Sequence, residues 1–115
     1  MAESYELNIN QGANLELPFI LKDESGSPLN LTGYTARMQL RSSYTATTFA
    51  LELTTANNRI VITPLEGKLT LTLDAVTTAT LPAQRYVYDI ELVSASGFVT
   101  RIVQGECIVS PEVTR

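Results

Sequence analysis

The stretch LTGYTARMQLRS, residues 31–42, carries the strongest local pattern in this chain. Apolar and polar side chains alternate from Tyr34 to Arg41, and a period of two is typical of a half-buried β-strand. The polar phase includes Arg37 and Arg41. The stretch therefore predicts a strand that follows a Leu-Thr-Gly corner and presents two arginines on its outward face.

The same alternation recurs along the chain, separated by polar turns that contain glycine, proline or asparagine. Pro18 lies within one of these segments and has no N–H to donate, so that strand is predicted to be an edge strand or to contain a bulge. Gly105 predicts a bulge in the last strand. The further predicted strands are residues 4–12, 14–22, 49–54, 59–64, 68–74, 85–93 and 98–110.

Residues 74–82 break this alternation. Asp74 can cap the first turn of a short helix through its carboxylate, and Pro82 ends it. With one helical turn near residues 74–81, the chain is predicted to be all-β, an antiparallel β-sandwich of seven or eight strands. Residues 1–115 contain no linker or internal repeat, which predicts one domain.

The core is predicted from the inward phases of these strands. Four tyrosines fall on core phases, and the lone cysteine, Cys107, lies between apolar residues and is expected to be a small buried hydrophobe. The core-phase tyrosines are Tyr5, Tyr34, Tyr86 and Tyr88.

Composition excludes several classes of partner. The net charge is −4 and the basic residues never cluster, which argues against nucleic acid and against anionic membranes. No segment is apolar enough over the length of a membrane span, and the first residues lack a signal-peptide pattern. The chain is therefore expected to be made in a cytoplasm.

The search for catalytic chemistry finds no convincing constellation. The chain has no histidine and one cysteine, so nucleophile–histidine pairs and zinc sites are not expected. Asp89 and Glu91 lie two residues apart on one strand face, and a pair of carboxylates at such a separation can serve glycoside hydrolysis. The interpretation favoured here is that both belong to a solvated sheet face. The segment 23–26 is interpreted as a turn in preference to a calcium loop. No catalytic residue, cofactor or metal is predicted.

The remaining candidates are interaction sites. Arg37 and Arg41 either pair with Asp89 and Glu91 within the sheet or face an acidic neighbour. Tyr44 is the one aromatic residue of a small polar loop, a composition common at contact surfaces. Strand addition by another chain is possible near Pro18 and at the chain ends, including Arg115, although Pro18 can equally block such pairing.

Three blocks of sequence together resemble a family of small phage tail and baseplate proteins. The blocks are DESGSPLNLTGYTARMQLR (23–41), NNRIVITPLEGKLTLTLDAVTTATLPAQRYVYDIEL (57–92) and GFVTRIVQGECIVSPEVTR (97–115). They are similar to the N-terminal immunoglobulin-like module of siphophage upper baseplate proteins, over residues 5 to 115. Gln84 departs from that pattern, which often has glycine there.

The resemblance implies an immunoglobulin-like sandwich that serves as a structural component of a virion, without enzymatic activity. Its partners would be other phage structural proteins of the tail, baseplate or neck, with many copies or a homo-oligomer set by particle symmetry. Two alternatives stay open at this point: a capsid decoration protein, and a carbohydrate-binding adhesion module with Tyr44 as its exposed aromatic residue.

Overall fold

The alternating residues of the 31–42 stretch form a strand, Thr35–Arg41, in the computed structural model, which describes residues 3–114. Its inward side chains Ala36, Met38 and Leu40 are buried, as the alternation predicts. Leu31 is also buried, and its N–H donates to the Pro64 carbonyl oxygen at 3.0 Å. This hydrogen bond ties the corner that precedes the strand to Pro64, which is distant in sequence.

Nine strands and one short α-helix are described, against the seven or eight strands predicted. The difference arises because the predicted first strand is split in two. The elements are β1 Glu3–Ser4, β2 Leu7–Asn10, β3 Leu15–Ile20, β4 Thr35–Arg41, β5 Leu51–Thr54, β6 Ile60–Thr63, β7 Lys68–Leu73, α1 Ala75–Ala79, β8 Arg85–Val93 and β9 Val99–Ser110.

The strands form two sheets, which confirms the predicted all-β sandwich. The large sheet has the order β1-β9-β8-β4-β5, with β2 also pairing with β9, and the small sheet has the order β3-β7-β6. Most pairs are antiparallel as predicted, but β1 and β2 run parallel to β9. The immunoglobulin-like assignment within the sandwich class stays a prediction.

One cluster of buried side chains joins both sheets. The large sheet contributes Leu40 and Ile90, and the small sheet contributes Leu69 and Leu71. Cys107 is buried among them, as predicted, and burial raises the pKa of its thiol to about 12. The hydroxyls of the core tyrosines Tyr86 and Tyr88 each donate to a backbone carbonyl oxygen, so their burial leaves no polar group unpaired.

The helical turn forms where the sequence predicts it. The Asp74 carboxylate accepts from the Thr77 N–H at 2.8 Å and caps helix α1. Hydrogen bonds from the Thr77 side chain and from its N–H hold the pKa of Asp74 below its ordinary value. Within residues 3–114, no helix is long and apolar enough to cross a membrane.

Two predictions about strand positions are wrong: Tyr5 is not in the core, and residues 49–50 do not belong to a strand. Tyr5 is 44% exposed because it lies at the break between β1 and β2, where its ring makes an edge contact with Phe19 at a centroid distance of 5.4 Å. Phe49 is 47% exposed because β5 begins only at Leu51, and the alternation before that point belongs to a loop.

The predicted bulge in the last strand is misplaced. The register of β8 and β9 shifts between Ile90 and Glu91, which leaves Ile102, not Gly105, as the extra residue. Gly105 stays in register opposite Tyr88. It is required for a different reason, since a Cβ at this position would overlap the Tyr5 carbonyl oxygen.

Candidate interaction surfaces

The outer face of the large sheet is charged and internally paired. Arg37 Nε donates to Glu91 Oε1 at 2.8 Å, and Arg101 Nε lies 3.3 Å from Asp89 Oδ2. These contacts confirm that Asp89 and Glu91 are cross-strand partners of arginines. All four side chains are at least partly exposed, so each pair contributes at most about 1 kcal/mol to stability.

The environment of Asp89 perturbs the ionisation of its carboxylate. Partial burial, and secondarily the charge of Glu91, raise the pKa of Asp89 above its ordinary value. Arg101, Arg37 and Arg41 act in the opposite direction without cancelling the burial effect.

Arg41 differs from Arg37, because it forms no ion pair with a carboxylate of residues 3–114. Its Nη2 donates to Gln39 Oε1 at 2.7 Å and its Nη1 donates to the Ala46 carbonyl oxygen at 2.7 Å. Gln39 in turn donates to Glu52 Oε2 at 2.8 Å. Of the two alternatives for the arginines, pairing with a carboxylate of the sheet holds for Arg37, whereas Arg41 ties the following loop to its own strand.

Tyr44 lies in that loop and is 84% exposed, as its polar surroundings predict. It lines a depression of about 350 Å³ together with Arg41, Asp89 and Arg101. We call this site the Tyr44 depression. Sequence reasoning named Tyr44 and the charged residues separately, but only the pairing of β4, β8 and β9 brings them together.

The predicted edge strand is confirmed: β3 is the first strand of the small sheet, and within residues 3–114 it pairs with β7 alone. Leu21 N–H donates to the Gly67 carbonyl oxygen, so by alternation Phe19 and Leu17 direct their backbone groups toward β7 and Pro18 directs its nitrogen outward. At the centre of this edge, where an added strand would need an N–H, Pro18 has none. The blocking interpretation of Pro18 is therefore the one that the geometry favours.

The β5 edge of the large sheet is also obstructed. Asn57 Nδ2 and Arg59 Nη1 both donate to the Glu52 carbonyl oxygen, at 3.1 and 3.0 Å. These side chains occupy the position that the N–H of an added strand would take. The β6 edge has four residues and ends at Pro64, which leaves little backbone to pair.

One strand edge differs from these. β1 and β2 pair with β9 from Val103 onward, and among residues 3–114 nothing pairs with the outer side of residues 99–102. Ser94 N–H donates to the Phe98 carbonyl oxygen, so by alternation Val99 and Arg101 direct their backbone groups away from β8. We call residues 99–102 the open edge.

A groove of about 450 Å³ runs beside the open edge, between β9 and β3. Lys22 stands at this groove, exposed and without an ion pair among residues 3–114. Most of the residues that line the groove are apolar: Phe19, Ile20, Leu21, Leu29, Ile102 and Val103. We call it the edge groove.

The edge groove is not predicted from the sequence, although the sequence contains a signal for it. Ile102 and Val103 are adjacent apolar residues, which breaks the strict alternation of a half-buried strand and is the mark of the bulge. The C-terminal candidate Arg115 lies outside the described residues. Within residues 3–114, no group of three or more histidine, cysteine, aspartate or glutamate side chains is arranged to hold a metal ion.

Comparison with known proteins adds no assignment to this geometry: the chain matches no protein-family model and no curated protein sequence.

Proposed function

We propose that this chain is a non-enzymatic structural protein of a phage particle, in the tail, baseplate or neck, that acts through protein–protein contacts. The phage setting rests on the resemblance of its three sequence blocks to tail and baseplate modules. The mode of action rests on one structural observation, the open edge of β9 above the apolar edge groove.

The partner we propose is an extended segment of a neighbouring structural protein that adds a strand to the open edge. Backbone hydrogen bonds to Val99 and Arg101 would supply affinity, and alternate apolar side chains would enter the edge groove. Lys22, which has no ion pair within residues 3–114, favours a segment that carries a carboxylate. Symmetry of the particle would repeat this contact in many copies.

The obstruction of the other edges supports this mode. An exposed strand edge invites pairing with foreign chains, and proteins normally block it with proline, short strands or side chains that cover the backbone. β3 carries Pro18, side chains cover the backbone of β5, and β6 ends at Pro64, whereas within residues 3–114 neither a proline nor a hydrogen-bonded side chain covers the outer backbone of residues 99–102. An edge left open in a chain that obstructs its others is well suited to a partner.

The location is tested by labelling purified particles with gold-conjugated antibody against this chain. Label at the tail, baseplate or neck is expected. Label that rings the capsid shell would replace the tail assignment by the capsid decoration alternative. Particles without label, from lysates in which the chain is expressed, would overturn the virion assignment.

The contact is tested with Thr100→Lys, because Thr100 is exposed and lines the edge groove. Incorporation into particles is expected to fall about tenfold or more, since a lysine would place a bulky charge where the added strand packs. The matched control is Thr35→Lys, at an exposed strand threonine on the outer face of the same sheet. Equal incorporation of the two variants would contradict strand addition at this edge.

A further inference from the structure

The Tyr44 depression has the composition of a binding site, and strand addition at the open edge does not use it. Tyr44 offers a ring that is 84% exposed at one side of the concavity. Across the depression lie strand residues with polar side chains, including Asp89, Glu91 and Arg101. Ligand sites commonly combine a concave shape, an aromatic surface and a few convergent polar groups.

The loop that carries Tyr44 is held against the sheet. Arg41 Nη1 donates to the Ala46 carbonyl oxygen at 2.7 Å, and Ala46 N–H closes a turn on the Ser43 carbonyl oxygen at 3.2 Å. Arg41 is itself fixed by its two hydrogen bonds to Gln39, of 3.2 and 2.7 Å. Arg41 is thus a positioning residue, which places the Tyr44 loop beside the strand residues of the depression.

The formal charges that line the depression cancel. Arg41 and Arg101 carry the positive charges, and Asp89 and Glu91 carry the negative ones. A ligand with a net charge would be attracted by one pair and repelled by the other. A neutral ligand with many hydroxyls meets no such conflict, since a hydroxyl can donate to a carboxylate and accept from a guanidinium group.

We propose that the Tyr44 depression binds a neutral saccharide. One sugar ring would lie with its apolar face on the ring of Tyr44, because tyrosine supplies rigid, flat contact area at low entropic cost. The hydroxyls would pair with Asp89 and Arg101 on the sheet.

A second depression of about 340 Å³ adjoins the first and provides room for a longer ligand. It runs toward β5 along the same charged face and is lined by Arg37 and Glu52. Both depressions share Gln39, Asp89 and Glu91, so they are continuous across β4 and β8. Arg37 and Glu52 add one positive and one negative charge, so the longer surface also has no net formal charge. The proposed ligand class therefore includes neutral oligosaccharides.

The test is titration of the isotope-labelled protein by NMR with neutral disaccharides and trisaccharides built from glucose, galactose and N-acetylglucosamine. Sialyllactose is the charged comparison. Neutral saccharides are expected to shift amide signals of residues 43–46 and 89–91. If no neutral saccharide shifts these signals, or if only the charged one does, the proposal is overturned.

Variants distinguish stacking from nonspecific contact. Tyr44→Ala is expected to weaken binding about tenfold, whereas Tyr44→Phe keeps the ring and stays within about threefold of the original affinity. Phe98→Ala is the matched control, since Phe98 is an aromatic residue 71% exposed in another loop and outside the depression. Unchanged affinity in Tyr44→Ala would contradict the proposal.

Arg41→Ala tests positioning separately from folding. It is expected to weaken saccharide binding and to lower the amide order parameters of residues 43–46, because the loop loses its hydrogen bond to the strand. If saccharide affinity and loop order are both unchanged in Arg41→Ala, the positioning role is wrong. The two proposals share only Arg101, whose backbone would pair with the added strand and whose side chain would meet the saccharide. Each proposal can therefore fail without the other.

Discussion

Both halves of strand β9 pair with β8 on one side. On the other side, one half is covered by two strands and the other half is not. From Val103 to Ser110 the outer edge is covered by β1 and β2, and Leu7 pairs with Cys107 there. From Val99 to Ile102 the outer edge is bare within residues 3–114, and the exposed fraction of Val99 is 43%. The bulge at Ile102 lies where the two halves join.

This difference shows how one strand serves stability and contact at once. In the covered half, the backbone of β2 completes the sheet and its side chains Leu7 and Ile9 enter the core. In the open half, the same kind of backbone is left for a partner. A bulge changes the direction of side chains, and here it turns Ile102 toward the edge groove while Arg101 stays with Asp89 on the charged face.

The largest expected effect is that of Gly105→Val, which breaks the covered half. Tyr5 approaches this backbone so closely that any Cβ would overlap its carbonyl oxygen, and Tyr88 holds that oxygen by a 2.7 Å hydrogen bond. A loss of about 3 kcal/mol or more in the free energy of unfolding is expected, measured by denaturant titration. A loss below about 1 kcal/mol would show that β1 and β2 can separate from β9 at little cost.

Alkylation of the Cys107 thiol reports directly whether β1 and β2 have separated from β9. Its pKa is raised to about 12 from 9.0, so at pH 8 the buried group is protonated and is expected to resist alkylation in the folded chain. Because the raised pKa belongs to the folded state, stability from this group is present below pH 9 and falls as the pH rises toward 12. Gly105→Val is expected to speed alkylation at pH 8; an unchanged rate would contradict exposure of the covered half.

Leu7→Ala is expected to follow, with a loss of about 2–5 kcal/mol in the free energy of unfolding. Leu7 is 1% exposed, and its removal leaves a cavity where β2 packs against the core. Asn8→Ala is the matched control, at the next residue of β2, which is exposed. Similar losses in both variants would mean that the pairing of β2 depends on its backbone alone.

Thr78→Val is expected to have a smaller effect, of about 1–2 kcal/mol. The Thr78 hydroxyl donates to the Ala13 carbonyl oxygen at 2.9 Å and so joins helix α1 to the connection that follows β2. Valine keeps the shape but leaves that oxygen without its donor. Thermal unfolding measures the change, with Thr47→Val at an exposed loop position as control. Equal effects of the two substitutions would contradict a role for this hydrogen bond.

Thr100→Lys is expected to have the smallest effect on folding, within about 0.5 kcal/mol, because Thr100 is exposed in the open half. Denaturant titration of the isolated chain measures this change. A large loss of stability would show that the open half contributes to the fold, and the contrast between the halves would then be wrong.

Much of the fold could be predicted because alternation is local. The strand Arg85–Val93 and the helix capped by Asp74 lie where the pattern predicts them, since side-chain period and capping chemistry depend only on nearby residues. Errors occurred where a distant segment decides the local structure. Glycine is required at position 105 because the Tyr5 backbone lies against it, and Tyr5 is 100 residues away in sequence.

The candidate sites divide in the same way. The exposure of Tyr44, an edge strand at Pro18 and a carboxylate partner for Arg37 each follow from the residue's own strand or loop, the last two as one of two alternatives. The edge groove was not predicted, because it exists only between β9 and β3, whose order in the two sheets no local pattern specifies. Nor could the sequence show that Arg41 binds the Ala46 carbonyl oxygen.

By itself, the sequence determined that the chain forms half-buried strands, where they lie and which faces are polar, because a period of two follows from the geometry of the strand backbone. Only the tertiary structure decided which edges are covered and which residues share a surface. Strand order depends on contacts between distant segments, and the open edge of Val99–Ile102 results from where β1 and β2 pair along β9.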